Sequence, residues 1–237
     1  MEGEDFDVFK LRYVVEGELV SETMLHVGAA ETSSGTVDNP FMKVEVRGRT
    51  VPFIPGSSLK GALRAEAERI ARGKNVKGVA VCTPPKVCDG DDVCVVCRIF
   101  GSKKLASHVK IPDAYPIGEV STLIKPGVAI DRVLGAVFTG QLYMIEAVPP
   151  GARFRFKMII DNIDLEGGGV EAEILRALLR ELASVSIQIG GRKSAGMGFV
   201  RLENVKVRKI TVDDILEGRE GSEISLEGLD ARVSREC

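Results

Sequence analysis

The feature that most constrains this chain is a glycine-rich loop between an apolar helix pattern and an alternating strand pattern. Four glycines and two cations occupy the nine residues from Gly190 to Gly198, and a strand pattern begins at Phe199. Glycine has no Cβ, so another backbone or a ligand can approach closely, and positive φ angles cost little. The cations stand beside exposed backbone N–H groups, which suits a phosphate or a phosphodiester chain. The candidate residues for such a site are Gly190, Gly191, Arg192, Lys193 and Gly196.

Two familiar phosphate-binding motifs are excluded for this loop. It is not a Walker A loop, because no Gly-Lys-Ser/Thr opens a helix after it. It is not the dinucleotide fingerprint either, because an alternating strand follows instead of a helix. The remaining alternative is a glycine-rich hairpin turn with two solvated charges. The loop alone leaves the phosphate site and the plain turn open.

The order of helix and strand patterns predicts the fold class. Alternation over residues 9–20 predicts a strand, and two short strands are expected around Arg47-Gly48-Arg49. The remaining predicted elements are a helix to about Arg72, strands over 136–148 and 152–160, a helix over 170–184 and a strand over 199–210. The core order β-α-β-β-α-β is that of split βαβ folds. We therefore expect an α+β, modified ferredoxin-like or RNA-recognition-like fold.

The length of 237 residues allows one domain with insertions. Residues 73–110 form an irregular, cysteine-bearing insertion, and residues 111–137 read as an extended hairpin or loop. We expect a single domain over residues 1–210. The acidic, glycine-spotted residues 211–237 are expected to form a loosely attached tail.

The charge distribution is compatible with an anionic partner. The chain has a net charge of −2, but both ends are acidic, and residues 8–210 carry 29 basic against 22 acidic side chains. The acidic start does not resemble a signal peptide, and no stretch approaches the roughly 18 apolar residues of a membrane span. We expect a cytoplasmic protein without a membrane partner.

The start of the first helix is a second candidate anion site. Ser57 or Ser58 is the expected N-cap, and Lys60 and Arg64 share one helix face at a spacing of four residues. Helix dipole, hydroxyls and cations together favour an anion. The alternative is a capped helix with a solvated basic face.

Asp38 and His26, in the polar region near the N-terminus, are candidate functional residues. Asp38 precedes Asn39-Pro40 in a polar loop, where it could hold a divalent cation, act as acid or base, or form an Asx turn. His26 precedes a glycine at a strand end. It could contact RNA, serve as a base, or satisfy a hydrogen bond in the core.

Four cysteines are clustered in the insertion, with the spacing Cys82-x5-Cys88-x5-Cys94-x2-Cys97. Four thiolates in a reducing compartment favour structural zinc over disulfides. In a variant of this site, a histidine (His26 or His108) replaces one thiolate as a zinc ligand. Two disulfides or unpaired thiols are the alternatives.

These residues together resemble one family. The chain is similar to the Cas7-type RAMP proteins, specifically the Csm3-like backbone subunits of type III CRISPR effector complexes. The matching pieces lie in family order over roughly residues 9–210. They are residues 25–28, Asp38-Asn39-Pro40, residues 53–64, residues 94–102, residues 127–132 and the glycine-rich loop.

The resemblance implies a RAMP palm with an inserted zinc-bearing lid (about 73–110) and a β-hairpin thumb (about 111–137). It implies self-association into a filament along a guide crRNA, with other effector subunits and a complementary target RNA as partners. Asp38 matches an aspartate that supports Mg²⁺- or Mn²⁺-dependent target cleavage. The residues that match RNA-lining positions are His26, Ser57, Ser58, Lys60, Arg64, Arg132, Gly190, Gly191, Arg192, Lys193 and Gly196, with Arg132 expected near the base of the thumb.

Three functions follow from the resemblance. The first is an RNA-guided endoribonuclease subunit that uses Asp38. The second is a non-catalytic RNA-binding scaffold with the same fold. The third is a guide-processing endoribonuclease, which ranks below the others because that role relies on a well-placed histidine. A zinc-bearing ferredoxin-like domain of another function remains the alternative outside the family.

Overall fold

The computed structural model describes residues 7–29, 37–73, 81–83, 88–89 and 93–226. In chain order its elements are β1 (Leu11–Ser21), β2 (Lys43–Val46), β3 (Arg49–Pro52), α1 (Gly56–Gly73), α2 (Val95–Phe100), β4 (Val109–Lys110), β5 (Leu123–Ile130), β6 (Val137–Ala147), β7 (Arg153–Asp161), α3 (Val170–Ser184), β8 (Ile187–Gln188), β9 (Phe199–Thr211), α4 (Val212–Leu216) and β10 (Ser222–Ile224). A single 3₁₀ turn, Lys193–Ala195, lies in the glycine-rich loop.

The central sheet is antiparallel and has the order β10-β9-β1-β7-β4, with β8 beside β9. β1 lies between β7 and β9, so that Tyr13 is opposite Ile160 on one side and Lys209 on the other. The four strands β9-β1-β7-β4, with α1 and α3 in the connections between them, reproduce the split βαβ arrangement. The predicted α+β class is confirmed.

The core lies on the helix-covered face of this sheet. Alternation along β7 buries Phe154, Phe156 and Met158, while Arg155 and Lys157 point to the other face. The apolar stripe of α1 that the spacing predicted, including Leu63, is buried with the apolar face of α3 in the same core. Because each helix has only one apolar face, packing on the sheet is what stabilises it. Among the described residues, no helix is both long and apolar enough to cross a membrane.

The predicted strand over residues 136–148 exists, but its expected place in the central sheet is wrong. β6 pairs with β5 in a separate two-stranded hairpin, and the sheet position beside β7 belongs to the short strand β4. The exposure of β6 explains the difference. Its first six residues are exposed and only Ile145–Ala147 are buried, so most of the strand has no core to face.

The expected loose attachment after Ile210 is also wrong for the residues described there. Thr211 begins α4 with a capping box, because its hydroxyl accepts from the N–H of Asp214 while the Asp214 carboxylate accepts from the N–H of Thr211. The chain then returns as β10, which pairs with β9 at the sheet edge. Backbone pairing therefore fixes this segment, whereas residues 227–237 lie outside the described residues.

Candidate nucleic-acid interface and metal centre

The segment that carries Asp38 docks on β6, at the base of the β5–β6 hairpin. The N–H of Asn39 donates to the Met144 carbonyl (3.0 Å), and the N–H of Glu146 donates to the Asn39 carbonyl (2.9 Å). The N–H of Met144 donates to Oδ2 of Asp38 at 2.6 Å. Asp38 is exposed, and its Oδ1 has no hydrogen-bond partner among the described residues. One oxygen thus fixes the carboxylate and the other is available to a ligand.

Glu146 is the buried carboxylate behind this segment. Its oxygens accept from the N–H of Phe41 (2.9 Å), from the hydroxyl of Thr122 (2.5 Å) and from the ammonium of Lys43. Burial on its own raises the pKa of Glu146, but the hydrogen bonds from Lys43, Thr122 and Phe41 outweigh it and leave the pKa below its usual value. Glu146 is therefore ionised at neutral pH and fully engaged, so it positions the site and is not free for a metal.

His26 joins the base of the hairpin to the glycine-rich loop. Its Nδ1 lies 2.7 Å from the carbonyl oxygen of Glu146, and the side chain is buried. A carbonyl only accepts, so Nδ1 carries a proton and donates it. Of the roles considered for His26, the structure shows the hydrogen bond in the core.

The glycine-rich loop packs its backbone against the chain around His26. The N–H of Gly191 donates to the His26 carbonyl (2.9 Å), and the N–H of Gly198 donates to the Met24 carbonyl (2.8 Å). A Cβ on Gly190 would lie 2.1 Å from the His26 carbonyl oxygen, and one on Gly198 would lie 2.1 Å from that of Ile189. The close approach that the glycines permit is thus between backbones. The plain-turn alternative explains Gly190 and Gly198.

The cations of the same loop are exposed, and Arg192 contacts β6. The guanidinium of Arg192 lies 4.5 Å from the ring centroid of Tyr143 and donates to its hydroxyl at 3.3 Å. Tyr143 precedes Met144, whose N–H holds Asp38. Lys193 and Gly196 are exposed, and a Cβ on Gly196 would meet nothing within 4 Å. The structure therefore brings His26, Asp38 and the glycine-rich loop together at the hairpin base.

The expected N-cap of α1 is wrong. The helix begins at Gly56, which places Ser57 and Ser58 inside its first turn. A carboxylate from outside the helix, that of Asp113, accepts from the N–H of Gly56 at 2.8 Å. Gly56 itself packs on backbone, because a Cβ there would lie 2.0 Å from the Ile111 carbonyl oxygen. Part of the anion-binding capacity of this terminus is thus already used by Asp113.

Lys60 and Arg64 have different environments on α1. The guanidinium of Arg64 donates to the Gly101 carbonyl (2.9 Å), to Sγ of Cys97 (3.1 Å) and to Glu68 (3.3 Å). These contacts give Arg64 a structural role between α1 and α2. Lys60 is half-buried, and burial together with the charge of Arg64 lowers its pKa. An anion at Lys60 would relieve that unfavourable environment.

Arg132 lies at the tip of the β5–β6 hairpin, so its expected place near the base is wrong. The turn is closed by Asp131, whose N–H donates to the Ala136 carbonyl and whose Oδ1 accepts from the N–H of Val133. β5 continues to Ile130, which carries Arg132 away from the central sheet. The tip is strongly exposed, with Val133 93% accessible.

The four cysteines predicted to bind metal converge. The Sγ atoms of Cys82, Cys88, Cys94 and Cys97 all lie within 4.8 Å of one another. Sγ of Cys82 is 3.5 Å from that of Cys97 and 3.8 Å from that of Cys94, and all four are free thiols. Disulfides need about 2.05 Å, so the disulfide alternative is wrong. Tetrahedral zinc with bonds of about 2.3 Å separates its sulfurs by about 3.8 Å, which this donor set fits.

The surroundings of the cysteines suit a closed metal site. α2 begins directly after Cys94, so Cys94 and Cys97 are neighbours one helical turn apart. The Arg64 guanidinium on Cys97 is a cationic partner of the kind that supports thiolate ligands. The histidine variant finds no support, because His108 lies with Nδ1 2.7 Å from the Asp161 carbonyl and neither histidine belongs to the cluster.

Sequence reasoning missed three residues of the hairpin base, namely Lys43, Tyr143 and Glu146. A signal for Glu146 was present, because it interrupts the apolar run Met144–Val148, and a charge in such a run needs a buried partner. Tyr143 and Lys43 carried no comparable signal, since an aromatic residue and a lysine in strands are ordinary.

Comparisons with known proteins agree with this architecture. The model of the RAMP superfamily matches residues 18–201. A protein of Methanocaldococcus jannaschii named CRISPR system Cms endoribonuclease Csm3 is 30% identical over 84% of this chain and 81% of its own. The protein of that name from Methanothermobacter thermautotrophicus is 26% identical, covering 86% of this chain and 89% of its own.

Solved structures share the fold. A chain of the type III-B Cmr-beta complex in its apo state covers 80% of this chain and 96% of its own, with a TM-score of 0.58 and 16% identity. A chain of the same complex bound to cognate target RNA gives a TM-score of 0.57. With the family match over most of its length, the chain belongs to the RAMP superfamily as a Csm3-like protein of the Cas7 group.

Proposed function

We propose that this chain is a crRNA-binding backbone subunit of a type III CRISPR effector complex and cleaves target RNA through Asp38. The observation that carries the proposal is the exposed Asp38 carboxylate, fixed through one oxygen on Met144 of β6, next to Tyr143, which Arg192 of the glycine-rich loop contacts. The names of the relatives support it, because they are called endoribonucleases of a CRISPR system. The Cmr-beta complex that shares the fold was solved bound to cognate target RNA, which supports the same partner.

RNA would contact this subunit mainly through its phosphates. Lys60, Arg192 and Lys193 are cations suited to backbone contacts, which a guide of any sequence requires. We assign the lid to the cysteine-bearing segment, about residues 73–110. We assign the thumb to the β5–β6 hairpin, which lies further along the chain than the expected residues 111–137 and carries Arg132 at its tip. Copies of the chain would stack along the guide with other effector subunits, in the cytoplasm.

The chemistry follows from the needs of RNA cleavage. A 2′-oxygen loses its proton and bonds to the adjacent phosphorus while the bond from phosphorus to the 5′-oxygen breaks. The products are a 2′,3′-cyclic phosphate and a 5′-hydroxyl, whose proton comes from water. This reaction requires a strand held in line, and rigid side chains at the hairpin base would hold it. Oδ1 of Asp38 is open to accept the proton or to hold Mg²⁺ or Mn²⁺ together with RNA phosphates. One carboxylate with phosphate oxygens is a usual donor set for Mg²⁺, whose charge would stabilise the phosphate.

The test compares the wild type with Asp38→Asn in a complex reconstituted with guide RNA and partner subunits. We expect cleavage of complementary RNA to fall by about 100-fold or more. Asn keeps an oxygen for the N–H of Met144, so guide binding and melting temperature should stay unchanged. Cleavage by the variant at the same positions and rate would refute the role of Asp38.

A non-catalytic scaffold is the second candidate. It is favoured by one observation, that the neighbouring carboxylate of Glu146 is fully engaged and so does not join Asp38 as a second metal ligand. If wild type and variant are both inert with metal present while guide binding is intact, the scaffold is correct. The buried, hydrogen-bonded His26 offers no support to the guide-processing alternative.

We infer that the cysteine centre holds a structural zinc ion. Zinc would bind through the four thiolates and join residues 82–97 to α1 by way of Arg64. Elemental analysis of reduced protein should find about one zinc per chain. Protein that is folded and free of metal would refute this assignment.

A further inference from the structure

A cleft lies between the β2–β3 hairpin and residues 115–118. It has a volume of about 450 Å³, with Val46, Arg49 and Val51 on one wall and Tyr115 and Pro116 on the other. Sites that take one small ligand commonly measure about 300–1,000 Å³. The cleft therefore has room for a group the size of one nucleotide.

Strand alternation separates this cleft from the site at Asp38. Val46 is paired with Arg49, and Val51 follows Arg49 by two residues, so these three side chains share one face of the hairpin. Lys43 and Glu45 lie on the other face, where Lys43 contacts Glu146. The carboxylate of β2 is thus directed away from the cleft, and the wall is apolar and cationic.

The opposite wall is rigid. The N–H of Arg155 in β7 donates to the Tyr115 carbonyl and the N–H of Ile117 donates to the Arg153 carbonyl, each at 2.8 Å. The Tyr115 ring is stacked on Phe53, with centroids 5.9 Å apart and planes 18° apart. Tyr115 is nevertheless 42% accessible. Its ring is held in place and still presents a surface to a ligand.

Arg47 and Arg49 both line the cleft. Both are exposed and form no ion pair with any residue that the structure describes. Arg47 has φ of +50° in the two-residue turn with Gly48. Such turns favour Asn, Asp or Gly, because a larger side chain is strained there. An arginine at this position costs the turn more than Asn, Asp or Gly would, and it places a cation at the cleft.

We propose that this cleft binds one nucleotide of single-stranded RNA, with the base on Tyr115 and the flanking phosphates on Arg47 and Arg49. Bases stack on aromatic side chains regardless of sequence, while cations track the backbone. This site is additional to the proposed function. It rests on that function only because both require RNA as the partner. It is distinct from the proposed cleavage site, because the side chain of β2 that contacts Glu146 at the hairpin base, Lys43, lies on the opposite face of the β2–β3 hairpin.

An acidic peptide is the competing ligand for two free arginines. It would use the cations but gain nothing from a stacked, solvent-accessible aromatic ring. The fixed Tyr115 ring beside Val46 and Val51 favours a ligand with a flat apolar face and an anionic chain. A nucleotide has both.

The test measures binding of a labelled oligoadenylate of about eight nucleotides to the full chain by fluorescence anisotropy. Arg47→Ala with Arg49→Ala should weaken binding about 10-fold or more and reduce the salt slope by about 1.4, as expected for two lost phosphate contacts. Tyr115→Ala should weaken binding about 5- to 100-fold, and Tyr115→Phe should retain it. An oligoglutamate of equal charge should not displace the RNA.

A control removes an exposed cation of β9 that forms no ion pair with the described residues, Lys206→Ala, and should change affinity less than twofold. The readout is binding of RNA by the chain and not cleavage, which separates this test from that of Asp38. An oligouridylate carrying 5-iodouridine should photocrosslink to Tyr115. Absence of that crosslink, equal losses in the control, unchanged binding by Tyr115→Ala, or displacement by oligoglutamate would each overturn the proposal.

Discussion

The cysteine centre and the base of the β5–β6 hairpin hold their functional groups by opposite means. The four thiols come from positions that are close in sequence, Cys82, Cys88, Cys94 and Cys97, and α1 contributes the Arg64 guanidinium. The hairpin base collects His26, Asp38, Glu146 and Gly190, which are far apart in sequence. Short-range spacing specifies the first site, and the tertiary fold specifies the second.

The two sites also differ in what they leave exposed. At the cysteine centre the four sulfur atoms face one another, and Arg64 donates to one of them, so this cluster is suited to stabilising the fold. At the hairpin base Glu146 and His26 are buried with their hydrogen bonds satisfied, and Asp38 keeps one oxygen open. An interior that is fully satisfied can hold an exposed group in place, which is the arrangement that binding and cleavage require.

The largest expected effect comes from removing a metal ligand at the cysteine centre, which should leave the hairpin base unchanged. Cys97→Ser removes one ligand and the acceptor of the Arg64 guanidinium. We expect loss of zinc and a loss in the free energy of unfolding of about 4 kcal/mol or more, because metal sites of this kind supply folding energy directly. For a chain of this size the melting temperature should fall by about 8–16 °C.

The control for this prediction is Asp38→Asn, which should keep its zinc and its melting temperature. A strong chelator should bring the wild type to the melting temperature of Cys97→Ser. Wild-type protein whose melting temperature is the same with and without chelator would show that the cysteines do not depend on metal for their structure.

The same contrast explains how far the sequence could predict the molecule. Helical and alternating periodicities act over short distances, so they placed α3 at residues 170–184 and the strand after the glycine-rich loop correctly. The convergence of the cysteines was likewise predictable from their spacing. In both cases the information lies in neighbouring residues.

Sequence could not predict which partners distant segments choose. β6 was recognised as a strand, yet it pairs with β5, and the sheet position beside β7 belongs to β4. Asp113 caps α1 from 57 residues away, which no local pattern reveals. The glycines were seen as places of close approach, but whether a ligand or a backbone approaches is decided by the fold.

A second prediction tests the backbone contact that brings the glycine-rich loop to the hairpin base. Gly190→Ala places a Cβ 2.1 Å from the His26 carbonyl oxygen at φ of +73°. Left-handed strain and forced displacement together should cost about 2–4 kcal/mol. Denaturant unfolding measures the loss. Gly196→Ala is the matched control, because φ is +78° with no neighbour within 4 Å, so about 1 kcal/mol is expected. Equal losses would show that His26 does not constrain the loop.

The smallest effect concerns the charge of Glu146. Glu146→Gln keeps the shape and an acceptor for the N–H of Phe41, but it leaves Lys43 without an anion. We expect a loss of about 1–2 kcal/mol near neutral pH. Because the pKa of Glu146 is lower in the folded protein, its contribution is complete above the pKa of an unfolded glutamate, about 4.3, and disappears as the pH falls through the folded value.

The stability difference between wild type and Glu146→Gln should therefore be constant from about pH 7 to about pH 5.5 and shrink below about pH 4. Taking the difference cancels the titration of carboxylates common to both proteins. Glu45→Gln, an exposed change on the same strand as Lys43, should cost less than about 0.5 kcal/mol. A difference that grows on acidification would mean that Glu146 is protonated more readily in the folded protein than in the unfolded chain. The carboxylate would then be a burden on the hairpin base instead of its support, and Asp38 would owe its position to the β6 backbone alone.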